Sequence, residues 1–203
     1  FRARSIILTQ GKKPRMPGVA GEERYLGRGL SICSTCDGPL YKGKRVAVVG
    51  GGNSALQTAL EMSDVATSVS LIARSSIRAD PVYTEKLASK KNITVHTETQ
   101  VSALHGDKFL SGITIRDGKG HEQQIDLDAV FIDIGWMPNT EILEGFVDLN
   151  DRKEVIADVN GCTSRPGIFA AGDITNAKSK QIIIAAGEGA KAALEAYEYL
   201  MKK

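Results

Sequence analysis

The chain is poor in aromatic residues (5%), has a single tryptophan, and carries only three histidines and three cysteines in 203 residues. Structural zinc needs four thiolate or imidazole ligands at set spacings. Beyond one Cys-x-x-Cys the sequence offers only Cys162, His96, His105 and His121, with no second Cys-x-x-Cys and no His-x3–5-His, so metal binding is disfavoured. Three cysteines favour redox or bystander roles over a structural disulfide framework. No apolar run approaches the ~18 residues that a membrane span requires. Net charge is +2 without a basic cluster, which gives nucleic acid no electrostatic footprint. Repeats, low-complexity segments and a secretory signal are also lacking, and Phe1-Arg2-Ala3-Arg4 reads as an internal cut. With 42% hydrophobic and 25% charged residues, the composition is that of a cytoplasmic globular protein, ample for one αβ domain plus pieces of another.

What is present is concentrated between residues 33 and 55. Cys33-Ser34-Thr35-Cys36 is followed by Asp37-Gly38. Cysteines at i and i+3 can close a small disulfide, and a helix start there lowers the thiolate pKa. Asp37 stands where a redox dithiol needs a proton carrier, although a turn or cap residue before Gly38-Pro39 would look the same. Directly downstream, Lys44 to Val49 is a short β-branched run bounded by Gly43 and Gly50, which reads as a buried parallel strand. Gly50-x-Gly52-x-x-Ala55 follows, and Leu56 to Met62 continues with helical spacing. The first glycine makes the tight turn, the second lets a pyrophosphate approach the backbone, and Ala55 permits close helix–strand packing. Phosphates would meet the positive helix end at Asn53 and Ser54.

Val69 to Ala73 is the second strand, and its tip should meet the adenine ribose. A carboxylate there would favour NADH, but the chain has Arg74 with Arg78 four residues on. Two guanidinium groups favour a 2′-phosphate and hence NADPH, with NADH as the alternative. Ser75 and Ser76 add hydroxyl donors. Ser5 to Leu8 is a strand, Pro81 to Lys91 a helix, and Ile93 to His96 a further strand. Three alternating segments (Val101 to Leu104, Leu110 to Arg116, His121 to Leu127), separated by glycine turns, read as an antiparallel meander inserted in the αβ pattern. The apolar strand from Ala129 to Ile134 ends in Gly135, which is grouped with the cofactor-binding positions. His96 reads as a packing residue, and His105 and His121 as turn-associated.

Near the C-terminus, Gly167 to Asp173 reads as strand, small-residue turn and carboxylate, ahead of a long helix from Gln181 to Leu200. A strand-tip carboxylate can accept from a sugar-like hydroxyl, and a helix start can stabilise negative charge on a flavin pyrimidine. A plain turn before an amphipathic helix fits the same residues.

The run from Cys33 to Ser54, together with Pro138-Asn139-Thr140, Gly167 to Asp173 and Lys180 to Ala185, resembles the low-molecular-weight thioredoxin reductase family. Within it, the chain is most similar to the reductase portion of the alkyl hydroperoxide reductase flavoproteins. The resemblance implies that Cys36 faces a flavin, that Cys33 exchanges with substrate, and that Asp37 is the acid–base group. It also implies that Gly172 and Asp173 reach the ribityl chain of FAD, while Gln181 and Ile182 meet the isoalloxazine edge. Family members begin with a strand and a Gly-x-Gly-x-x-Gly for the FAD pyrophosphate, and this chain does not. Thr9-Gln10-Gly11 replaces the family's Ala-Thr-Gly, Trp136 stands where thioredoxin reductases carry His, and Ala73 replaces an acidic residue of the hydroperoxide-reductase flavoproteins.

The expected architecture is thus a Rossmann-like pyridine-nucleotide domain with an inserted antiparallel meander at 17–135. Residues 1–16 and 136–203 would be incomplete remnants of a second, FAD-type Rossmann-like domain. The resemblance implies electron flow from NAD(P)H through FAD to the Cys33–Cys36 disulfide, then to a small thioredoxin-like or peroxiredoxin-system protein, in a homodimer. The rival readings are a flavin-free redox sensor and a silent nucleotide-binding fragment.

Overall fold

The computed structural model describes residues 2–202. In chain order the elements are β1 (Ile6–Leu8), β2 (Lys12–Pro14), α1 (Glu22–Tyr25), β3 (Leu30–Ser31), α2 (Ser34–Asp37) and β4 (Arg45–Val49). Next come α3 (Asn53–Ser63), β5 (Ser68–Ile72), α4 (Pro81–Ser89), β6 (Ile93–His96), β7 (Thr99–Gly106), β8 (Leu110–Asp117) and β9 (Glu122–Asp126). The chain closes with β10 (Ala129–Ile132), β11 (Trp136–Pro138), β12 (Ile168–Ala170) and α5 (Ile182–Met201). It divides into two compact units, one of residues 14–135 and the other of residues 1–13 with 136–203.

Unit 14–135 is built on a five-stranded parallel sheet in the order β3-β10-β4-β5-β6. Strand β4 alternates between two cores. Val46 and Val48 pack with Leu56, Ala59 and Met62 of α3 and Leu87 of α4. Ala47 and Val49 pack with Ile113, Ile115 and Leu127. Residues i and i+2 share a face of a strand, so a strand covered on both sides must be apolar where it is covered, as this one is from Val46 to Val49. The antiparallel meander β7-β8-β9 is therefore a third layer, opposite the helices, rather than a peripheral insertion. Tyr41 closes the helical side edge-on to Phe131, with ring centroids 5.8 Å apart.

Unit 1–13 with 136–203 pairs β1 with β12 in parallel, Ile7 opposite Phe169. Leu8, Val155, Ile168 and Ile174 form one small core, and Phe169, Ala192 and Ala196 another. Lys12 and Glu154 form an ion pair at 2.7 Å with side chains only 14% and 9% exposed. The first turn of α5 presents Ile182 (91% exposed) and Ile183 (79%) outward.

Several sequence boundaries shift. The first strand starts at Ile6, the second Rossmann strand at Ser68, and α4 ends at Ser89. His105 lies within β7 rather than in a turn, its ring nitrogen 2.7 Å from Thr114 Oγ1, because a register shift after it carries the strand on to Gly106.

Candidate functional site

In unit 14–135 the dithiol is formed by local structure. Cys33 is extended and caps α2, and its sulfur accepts the Cys36 N–H at 3.2 Å. The two cysteines are disulfide-bonded, with Cα atoms 5.3 Å apart. Cys36 is exposed and Cys33 half-buried. Asp37 ends α2, and its carboxylate accepts from Ser31 Oγ at 2.7 Å. The same Ser31 oxygen accepts the Cys33 N–H at 3.1 Å. Buried at the end of β3, Ser31 thus fixes both the first cysteine and the neighbouring acid. Sequence reading missed Ser31, since a serine two residues ahead of a cysteine carries no signal until β3 joins the sheet.

The glycine turn follows β4. A Cβ on Gly50 (φ +149°) would meet the Asp133 carbonyl oxygen at 2.3 Å and the Ala55 Cβ at 2.7 Å, so the turn and the close packing both require glycine. Gly52 is different, because a Cβ there meets nothing within 4 Å. It forms the N-cap of the 11-residue α3, and no side chain caps that end. Open space above uncapped backbone N–H groups is the environment that a pyrophosphate needs, so these residues fit a dinucleotide. Ser54 is exposed at the same end. The Asn53 side chain is engaged elsewhere, donating to Asp80 Oδ2 and accepting the Asp80 N–H, both at 2.8 Å.

Ala73 is buried, 3.2 Å from where a Gly51 Cβ would lie, so Arg74 is the first exposed side chain beyond β5. Arg78 is drawn to the turn by its N–H, which donates to the Gly51 carbonyl at 2.7 Å. Its guanidinium donates to Ser75 Oγ at 3.0 Å. Gly135 (φ +94°) lies beyond β10, with its carbonyl accepting the Arg15 N–H at 2.9 Å.

Asp133, also unsuspected from sequence, lies just past the end of β10, half-buried. Burial pushes its carboxyl above the ordinary value, a hydrogen bond with Thr58 works the other way, and Glu61 nearby raises it further. A carboxyl whose folded pKa is raised favours folding below its unfolded pKa, and that stability is lost as pH rises through the folded value. Asp133→Asn is therefore expected to stabilise the unit near neutral pH, with the gain shrinking as pH falls through the carboxylate range. Urea midpoints measured between pH 4 and 8 check this, and a pH-independent difference would contradict it.

The other four predicted positions lie in unit 1–13 with 136–203. Gly172 (φ +79°) donates its N–H to Glu188 Oε2 at 2.8 Å and accepts from Thr175. Half-buried Asp173 follows it in a 3-10 turn. Gln181 is the N-cap of α5, without a side-chain cap, and Ile182 is nearly fully exposed. A carboxylate, an uncapped helix start and an apolar flank fit the ribityl and ring end of a flavin. Gly187-x-Gly189-x-x-Ala192 repeats the fingerprint spacing but lies inside α5, where no free helix end exists. Among the described residues no cluster of three or more His, Cys, Asp or Glu side chains is placed to hold a metal.

Comparison with known proteins shows the family. A family model described as pyridine nucleotide-disulphide oxidoreductase matches residues 1–189. A subunit of alkyl hydroperoxide reductase from Pseudomonas aeruginosa is 45% identical over the whole of this chain, which covers 39% of that relative. A protein of Bacillus subtilis named NADH dehydrogenase is 41% identical, again over the whole chain and 40% of the relative. This chain thus spans about two fifths of the length of those relatives. Among solved structures, thioredoxin reductase from T. acidophilum superposes with a TM-score of 0.77 at 38% identity, covering 99% of this chain and 67% of that one. The chain belongs to the pyridine nucleotide-disulphide oxidoreductase family.

Proposed function

We propose that the chain is the nucleotide- and dithiol-bearing part of a flavin-dependent disulfide reductase, which passes electrons from NAD(P)H via FAD to the Cys33–Cys36 disulfide and on to a protein disulfide. The observation that carries this reading is a closed Cys33–Cys36 disulfide, with its acid held by Ser31, in the same unit as an open glycine turn. The family supports flavin and nicotinamide cofactors in general. The names of the relatives, hydroperoxide reductase and thioredoxin reductase, support a peroxiredoxin-system or thioredoxin-like partner.

Bound flavin would supply the two-electron relay between nicotinamide and disulfide. The chain's own residues do the rest. Gly50, Gly52 and the α3 start at Asn53 to Ala55 hold the pyrophosphate, with Gly135 beyond the neighbouring strand. Gly172, Asp173, Gln181 and Ile182 hold the flavin's ribityl and ring end. Unit 14–135 is the nucleotide domain and the remainder belongs to the flavin domain. Once reduced, Cys33 attacks the partner's disulfide as thiolate. One partner sulfur leaves, taking the proton that Asp37 supplies, and Cys36 then displaces the second to restore the Cys33–Cys36 bond. Two electrons and two protons pass to the partner. Such chemistry suits a reducing, cytoplasmic setting and a homodimer that covers the exposed face of α5. Among the described residues no helix is long and apolar enough to cross a membrane.

Cys36→Ser tests the dithiol role: the flavin-loaded enzyme should lose protein-disulfide reduction by at least ~10³-fold, since the resolving step disappears. Retained turnover would remove the pair from the mechanism. Arg74 and Arg78 favour NADPH. Arg74→Ala should weaken NADPH far more than NADH, by about 1.5–3 kcal/mol for a charge-assisted bond, and equal losses by titration would sink the 2′-phosphate assignment. A second reading, a flavin-free redox sensor or a nucleotide-binding fragment without turnover, draws on the placement of dithiol and glycine turn in one unit. A visible spectrum separates the two, because a purified chain that binds nucleotide without flavin absorbance would favour the second.

A further inference from the structure

One of the two residues between the cysteines is not idle. Ser34 Oγ lies 3.2 Å from Thr58 Oγ1 and 3.2 Å from Glu61 Oε2. Thr58 is buried in the middle of α3, the helix whose first residues form the dinucleotide fingerprint. Thr58 also lies close enough to Asp133 to work against the rise that burial causes in its carboxyl pKa. Asp133 in turn donates its N–H to Val49 at 2.8 Å, and its carbonyl leaves no room for a Cβ on Gly50. A contact from the dithiol helix thus reaches the helix that carries the glycine turn at its start, with Asp133 against the other side of that turn, all inside unit 14–135.

We propose that Ser34 and Thr58 are positioning residues that couple the redox state of Cys33–Cys36 to nucleotide affinity at the Gly50–Ala55 turn, without participation of a flavin. This deepens the reading above and rests on nucleotide binding at that turn. The two-state element is the dithiol itself. In the disulfide the Cys33 sulfur caps α2 by accepting the Cys36 N–H. Reduction replaces one covalent bond with two thiols, which cannot remain at bonding distance. Helix α2 is only four residues long and begins at Ser34, so a change in how the Cys33 sulfur caps it is felt first at Ser34. Thr58 is fully packed and cannot follow. The Ser34–Thr58 contact is made in one state and loosened in the other, and α3 carries the difference to its own N-terminus as a rigid element. By linkage, a nucleotide that prefers one state must also bias the dithiol equilibrium by the same factor.

The test uses the 203-residue chain with ADP-ribose and its 2′-phosphate as probes, which present the recognised phosphates but no nicotinamide. Dissociation constants are measured by calorimetry with the disulfide intact and after reduction by a phosphine. The two states are expected to differ at least ~5-fold, the lower end of ordinary coupling between sites. Ser34→Ala and Thr58→Val should bring that ratio to within ~2-fold of one, whereas Thr58→Ser, which keeps the hydroxyl, should preserve it. Equal affinities in the wild-type chain would overturn the coupling while leaving the nucleotide reading intact. A ratio unchanged in both Ser34→Ala and Thr58→Val would overturn the assignment to these residues. Binding of neither probe in either state would remove the nucleotide reading and the coupling with it.

Discussion

Gly50→Ala is expected to destabilise unit 14–135 by about 3 kcal/mol, combining strain at a positive φ with overpacking, and to weaken ADP-ribose binding at least ~10-fold. The backbone at φ +149° disfavours any Cβ, and the added methyl would meet the Asp133 carbonyl at 2.3 Å and Ala55 at 2.7 Å. Neither neighbour is the free end of a flexible side chain. Asp133 is tied to Val49 through its N–H, and Ala55 is fully buried under the sheet. The turn must therefore open, which moves the start of α3. Gly52→Ala provides the contrast. Gly52 has φ −102° and open space around its Cβ position, so the fold should lose at most ~1 kcal/mol, chiefly from a poorer N-cap. Its methyl would nonetheless stand where the proposed phosphate would approach. Urea midpoints and probe titrations on both variants separate the two roles. Undiminished binding in Gly52→Ala would mean that no phosphate comes near that residue.

Glu154→Ala should cost about 3–5 kcal/mol in the other unit, because it strands a buried ammonium rather than removing a pair. Lys12 and Glu154 are almost completely enclosed, and Asn150 Nδ2 donates a further bond to the same carboxylate at 2.8 Å. Burial alone would raise the Glu154 pKa, but the bonds from Lys12 and Asn150 outweigh it and hold the carboxyl below its usual value. A depressed carboxyl contributes stability above its unfolded pKa and loses it as pH falls through the folded value. The wild-type advantage over the variant should therefore be full at neutral pH and fade in acid. Lys12→Met combined with Glu154→Leu removes both charges and should recover most of the loss. If the double variant is no better than Glu154→Ala in denaturant titrations, the cost lies in packing and not in charge.

Much of unit 14–135 was legible in the sequence because its signals are local. An unbroken β-branched run, a glycine turn and a helical period identify β4 and α3, since a strand buried on both faces cannot alternate. The meander was equally readable from its glycine turns, although its place as the third layer was not. Strand β3 escaped because two residues cannot show a period, and with it went Ser31. Thr58 and Asp133 were invisible for a different reason. A threonine in a helix and an aspartate after a strand become partners only when the sheet sets α3 beside the end of β10. The exposed arginines at 74 and 78 were readable, yet the packing of Ala73 against Gly51, which makes Arg74 the first side chain able to reach out, belongs to tertiary structure alone.

The cysteines at positions 33 and 36 enclose one of the shortest rings that a disulfide can form in a chain, with a sequence separation of three. In the loop-closure picture, a cross-link removes freedom from the unfolded polymer in proportion to the logarithm of its span, so this ring is worth about 2 kcal/mol where a 100-residue loop would be worth about 4.7. The bond is a weak rivet. It can be opened and resealed without asking the polypeptide to refold, because the sheet and helices around it do not rely on it for their cohesion. If the pair is the reagent proposed above, to be spent and regenerated, it is thus kept apart from the members that bear the structural weight.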